Sequence, residues 1–337
     1  MREPSVLTCL LSLLLAAPPP TAPPALRVDG MALSLYYEDP ARGIVFDKMV
    51  EEIAATGATH VSIIAQWAQP DVYATTVAPH PKETTSDAVV RRVMRKARSH
   101  GLRVMLFPIL WVEKRAIGEW RGTLAPTDLE AWWRSYERFI MHYARMAKEE
   151  EATLFSVGSE FASLEADEVR WRALIAKVRT VFPGQLLYSA NWDHYREVPF
   201  WDALDFIGLT AYYRLTDKHD PSQAELTAAW GQIKASLLEW QRTVGRPMLF
   251  TELGYPSLDG AARAPWDYTQ PTAMDHEEQR RCLVAFAETW RNEPALAGVF
   301  FWNWWGPDDG QNTWYTFKGK PAEGVVRAWF SRPPQKK

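Results

Sequence analysis

Cysteine is almost absent: two residues in 337, Cys9 and Cys282. Cys9 lies in an N-terminal apolar run that reads as a signal, and would leave with it, so no internal disulfide is expected. Charge of one sign is also lacking. The 38 basic and 41 acidic side chains, net −3, are spread along the chain with no block to hold a polyanion, which argues against nucleic acid as a partner. No Gly-rich phosphate fingerprint follows any candidate strand, which counts against a nucleotide-binding sheet. The seven histidines, at 60, 80, 100, 142, 194, 219 and 276, show no paired ligand spacing, so neither a metal nor another cofactor is expected. No apolar run reaches the ~20 residues of a comfortable bilayer span.

The N-terminus carries Arg2, an apolar run from Val6 to Ala17 and a Pro-rich stretch from Pro18 to Pro24. Residues 1–25 therefore read as a secretory signal and stiff linker, with a retained anchor as the alternative. A secreted or periplasmic monomer is expected, with no membrane contact beyond that segment.

What the chain has in excess is tryptophan, 17 residues, flat apolar faces each carrying a polar edge. From Val28 onward, eight short apolar or β-branched runs recur: Met31–Tyr37, His60–Trp67, Arg103–Leu110, Thr153–Ser159, Leu186–Ala190, Phe206–Tyr212, Met248–Thr251 and Gly298–Trp302. Helical spacing follows most of them, over Phe46–Thr56, Ser86–Ser99, Asp128–Lys148, Asp167–Phe182, Ala224–Val244, His276–Glu293 and Ala322–Trp329. The fifth crossover, around Arg196–Leu204, is short and contains Pro199. Gly57, Gly101, Gly184 and Gly245 stand where helices should stop. Eight alternations without a second composition class predict an α/β fold, a closed (β/α)8 TIM barrel forming one catalytic domain over residues 28–330.

Such a barrel places its chemistry at the C-terminal ends of its strands. The fourth and seventh runs both end in a glutamate, Glu160 and Glu252. One carboxylate closing a strand can simply meet solvent; two across one barrel mouth match the pair that glycoside hydrolysis requires. The other strand ends are aromatic or amide: Tyr36 and Tyr37, Gln66 and Trp67, Trp111, Asn191 and Trp192, Tyr212 and Tyr213, and Trp302, Asn303 and Trp304. A pyranose stacks its C–H face on such rings and offers its hydroxyls to amides. From these, Trp67, Asn191, Trp192, Tyr212, Trp302 and Trp304 are the candidate substrate-binding residues. Tyr212 is placed to hold Glu252, and Trp302 or Trp304 to form the floor under the reacting sugar. Trp132, Trp133, Trp171, Trp230, Trp240 and Trp290, inside helical runs, read as core.

The motifs Gly158-Ser159-Glu160, Ser189-Ala190-Asn191-Trp192, Thr251-Glu252-Leu253-Gly254-Tyr255 and Phe300-Phe301-Trp302-Asn303-Trp304 together resemble the retaining glycosidases of clan A, nearest to glycoside hydrolase family 113. The resemblance runs from about Val28 to Phe330. It implies a β-mannanase or mannan-oligosaccharide hydrolase that retains anomeric configuration, with Glu160 as acid/base and Glu252 as nucleophile. The chain departs from the broader clan in three places. Ser159 stands where an asparagine usually precedes the acid/base, Thr210 where a histidine often lies, and the second strand has no arginine near its end. A barrel that binds carbohydrate without turnover, a hydrolase of another β-glycan such as glucan or galactan, and a metal-dependent hydrolase are the competing readings.

Overall fold

The computed structural model describes residues 27–307 and 310–331; the expected signal and linker, residues 1–25, lie outside them. Eight parallel strands close into a barrel in chain order: Val28–Ser34 (β1), His60–Gln69 (β2), Arg103–Val112 (β3), Leu154–Ser159 (β4), Gln185–Asn191 (β5), Phe206–Thr210 (β6), Met248–Leu253 (β7) and Leu296–Phe301 (β8). Seven α-helices surround it among the described residues: Phe46–Ala55 (α1), Asp87–Ser99 (α2), Leu129–Glu149 (α3), Glu168–Arg179 (α4), Gln223–Val244 (α5), His276–Trp290 (α6) and Pro321–Phe330 (α7). The short fifth crossover forms only a 3-10 turn, Trp201–Ala203; Pro199, which lacks an N–H, stands just before it. This is the (β/α)8 TIM barrel that the alternation predicts.

Alternation along each strand divides the core in two. Val28, Ala32, Met105, Phe107, Leu187 and Phe300 fill the barrel interior, while a larger apolar layer joins the strands' outer faces to the helices. Trp132, Trp171, Trp230 and Trp290 are fully buried in that outer layer. Inside, Gly30 makes room for Phe300, since a Cβ at Gly30 would lie 2.2 Å from the Phe300 ring.

Local chemistry fixes the helix ends. Asp128 accepts from the Ala131 N–H at 2.9 Å, Ser222 and Glu225 form a reciprocal capping box, and Asp275 accepts from two N–H groups. Gly57, Gly101 and Gly245 take the positive φ expected of helix stops. Gly184 does not; it is small because a Cβ there would meet the Phe182 ring at 2.5 Å and the Thr153 carbonyl at 2.8 Å.

Every strand differs from its predicted span by one to three residues at one end or both, and two of these differences bear on the site. β1 begins at Val28 and ends at Ser34, leaving Tyr36 and Tyr37 in the following loop, edge-on to Trp305. β6 ends at Thr210, where its register against β7 shifts and Thr210 pairs with Glu252.

Candidate active site

Glu160 is the first residue past β4 and has φ +58, a left-handed conformation uncommon for a residue with a side chain. Its carboxyl is buried and held at both oxygens. Oε1 accepts from Thr210 Oγ1 at 2.6 Å, and Oε2 accepts from Arg121 Nε at 2.9 Å and Nη2 at 2.7 Å. Glu252 lies within β7 and is likewise buried. Its Oε2 accepts the Tyr212 hydroxyl at 2.8 Å, while Oε1 is buried without a hydrogen-bond partner.

Burial first, and then the negative charge of Glu160, push the Glu252 carboxyl upward; the Arg121 guanidinium and the Tyr212 hydrogen bond oppose them. The two carboxyls are thereby coupled, so that protonating Glu160 removes one of the influences that disfavour the Glu252 anion.

Two cavities, about 510 and 660 Å³, share Glu252, and the second also takes in Glu160. Arg121, Glu252, Tyr268, Trp302 and Tyr315 line both. The first continues past Gln66, Trp111, Arg115, Trp305 and Trp314, and the second past Trp120, Glu160, Asn191, Trp192 and Trp266. Together they form a groove whose two arms share Glu252 on their walls. In the second arm Trp192 and Trp266 stack with ring centres 5.4 Å apart and planes at 19°.

Of the predicted residues, Glu160, Glu252, Asn191, Trp192, Tyr212 and Trp302 come together in this groove. Trp67 and Trp304 do not. β2 runs on to Gln69, and alternation turns Gln66 toward the cavity but Trp67 outward, against Phe139, His142 and Tyr143 of α3. Trp304 is 3% exposed; its Nε1 donates to Glu52 of α1 at 2.9 Å and the Lys318 ammonium sits over its ring. Trp302 lines both cavities beside Glu252, and Trp305 lines the first.

One departure from the clan pattern acquires a partner in the fold, while another, Ser159, keeps its hydroxyl buried without a hydrogen-bond partner. Thr210 gives its hydroxyl to Glu160, and a guanidinium reaches the same carboxyl from Arg121, in a 3-10 turn after β3. Ser163 Oγ donates to the Leu124 carbonyl at 2.7 Å and so braces that turn against the loop that follows Glu160. Arg121, Tyr268 and Tyr315 were not among the sequence candidates. They sit in long connections without periodicity, and Arg121 meets Glu160 across 39 residues. Among the described residues no group of three or more His, Cys, Asp or Glu could hold a metal ion, and no helix is long and apolar enough to cross a membrane.

Solved structures of the same fold resemble this chain. A β-mannanase of Glycoside Hydrolase Family 113 from Alicyclobacillus acidocaldarius, in complex with ManMIm, superposes with a TM-score of 0.81 at 29% identity, over 91% of this chain and 97% of that one. A β-1,4-mannanase of the same family superposes at 0.78 with 25% identity, over 91% and 100%. The endo-1,4-β-D-mannanase of Thermotoga petrophila RKU-1, at 0.60 and 10% identity over 90% and 99%, shares the fold. No curated protein matches the chain in sequence. The family model of Glycoside Hydrolase Family 113 matches residues 38–320, most of the described chain, and by that match the protein belongs to this family and is a glycosidase.

Proposed function

We propose that the enzyme is a secreted, monomeric β-mannanase that cuts within the polymer and retains anomeric configuration. The observation that carries the reading is the pair of buried glutamates at a two-armed groove, with Glu252 lining both arms and carrying an unpartnered oxygen. Glu252 Oε1 attacks the anomeric carbon while Glu160 transfers its proton to the leaving glycosidic oxygen as the C–O bond breaks. Water then gives a proton to Glu160 and attacks the same carbon, releasing the Glu252 carboxylate. As it stands the pair is ordered the reverse way from these roles, with burial pushing the Glu252 carboxyl up to about 8 and Glu160 paired to the Arg121 guanidinium. The cycle requires the proton on Glu160, which by removing the charge beside Glu252 favours its anion.

Glu160 lines only the second arm, so that arm receives the leaving portion of the chain. The first arm, with Trp305 and Trp314, holds the portion that becomes covalently attached. Room on both sides of the cleaved bond supports internal cutting, and the two family structures described as β-mannanases support mannan. Secretion rests on the N-terminal apolar run alone.

The test is a panel of β-mannan, β-glucan and β-galactan followed by product length. The expected result is intermediate-length oligosaccharides from mannan, with solution viscosity falling before reducing ends accumulate. Release of single sugars alone, or preference for glucan or galactan, would contradict the reading.

A further inference from the structure

We propose that Tyr188 and Glu165 are positioning residues, holding Glu160 in place to donate its proton by fixing the backbone of the turn on which it sits. The proposal rests on the acid/base assignment of Glu160.

A left-handed residue with a side chain is strained and persists only where its surroundings over-determine it. Here the surroundings are specific. The Glu160 N–H donates to the Ser189 carbonyl at 2.8 Å, and the next amide, Phe161 N–H, donates to the Tyr188 hydroxyl at 2.8 Å. That hydroxyl donates in turn to Glu165 Oε1 at 2.6 Å. Glu165 follows the 3-10 turn Ala162–Leu164, so the segment folds back and ties its last residue to its first through one phenol.

The Tyr188 ring has no freedom to relax. Trp171 and Phe200 pack on it with ring centres at 5.1 and 5.4 Å, and a Cβ at Gly158 would lie 2.9 Å from its Cε2, so the ring leans on β4 just before Glu160. The Glu165 carboxylate orients the phenol's proton and leaves its oxygen lone pair facing the Phe161 amide. Glu165 is 1% exposed and its Oε2 accepts no hydrogen bond. Burial pushes its carboxyl up to about 7, Tyr188 opposes this, and the charge of Glu160 adds to it. An apolar side chain would fill this site without the desolvation cost, so packing alone does not account for a carboxyl here.

The test compares Tyr188→Phe, Glu165→Leu and Glu165→Gln with Glu160→Gln as reference, on two substrates. One is an unactivated β-linked manno-oligosaccharide, whose leaving group needs a proton. The other is a 2,4-dinitrophenyl β-glycoside of the same sugar, whose phenolate leaves without one. kcat/KM reports the first chemical step in both cases. A displaced acid should cost Tyr188→Phe and Glu165→Leu about 10–100-fold on the oligosaccharide and less than about 3-fold on the activated glycoside. Glu165→Gln, which keeps an oxygen for Tyr188, should restore most of the loss.

Equal losses on both substrates, or no loss on either, would overturn the proposal in favour of a purely structural role. Should Glu165→Leu fail to fold, Tyr188→Phe, which removes a single oxygen, decides alone. If Glu160→Gln shows no selective loss, the acid/base assignment fails and the proposal with it. Selective loss in Glu160→Gln but not in Tyr188→Phe overturns the positioning role alone.

Discussion

At Glu252 burial and the neighbouring Glu160 charge disfavour the anion, and the positive charge of Arg121 and the Tyr212 hydrogen bond restore part of it. A nucleophile must be ionised, so the sign of each influence predicts a pH effect. The Tyr212 hydrogen bond lowers the Glu252 pKa. Removing it in Tyr212→Phe therefore raises that pKa, and the ascending limb of the kcat/KM profile should move to higher pH by about one unit, the scale of one hydrogen bond to a charged group. The deficit should be largest on the acid side and shrink as pH rises. A pH titration of the variant checks this, and an unmoved limb would mean that Tyr212 does not govern the ionisation of Glu252.

The same residues show where sequence reading ends. Both glutamates were visible because each terminates an apolar run, a local signal. Arg121 was not, because its role depends on a partner 39 positions away and on a loop with no periodicity to read. Thr210 appeared only as a departure from pattern, and its purpose emerges once β6 places its hydroxyl on Glu160.

Among the elements, order and type were legible and registration less so. Eight apolar runs with helical segments between them dictate a barrel, and the lone short crossover with Pro199 is a 3-10 turn for a stated reason. The errors are of two kinds, strand ends and strand parity, and neither can be read from aromatic content. Tyr36 and Tyr37 extended the first run by apolarity yet belong to the loop beside Trp305. Trp67 sat at an apparent strand end, whereas β2 continues to Gln69 and turns it toward α3.

Parity also yields a prediction on β1. Gly30 has no unusual φ, yet a Cβ there would lie 2.2 Å from Phe300. Gly30→Ala should lower the urea midpoint at unchanged m, a loss of about 1–3 kcal/mol from overpacking. Trimming the ring in Gly30→Ala/Phe300→Leu should return part of that loss, so the double variant is more stable than the sum of the singles implies. Additive losses would show that the ring is not the obstacle.

For the molecule as a whole, the tryptophans divide by place. Those on helices build the layer between barrel and shell, and those on the βα loops, Trp266, Trp305 and Trp314, line the two arms of the groove. The central claim is that Glu252 becomes covalently bonded to sugar in that groove. An activated 2-deoxy-2-fluoro β-mannobioside tests it most directly, since the fluorine slows both steps while the good leaving group favours the first. The enzyme should lose activity as its intact mass rises by one fluorinated disaccharide unit, and peptide mass spectrometry should place that mass on Glu252. A label on another residue, or turnover with inversion and no label at all, would contradict the account.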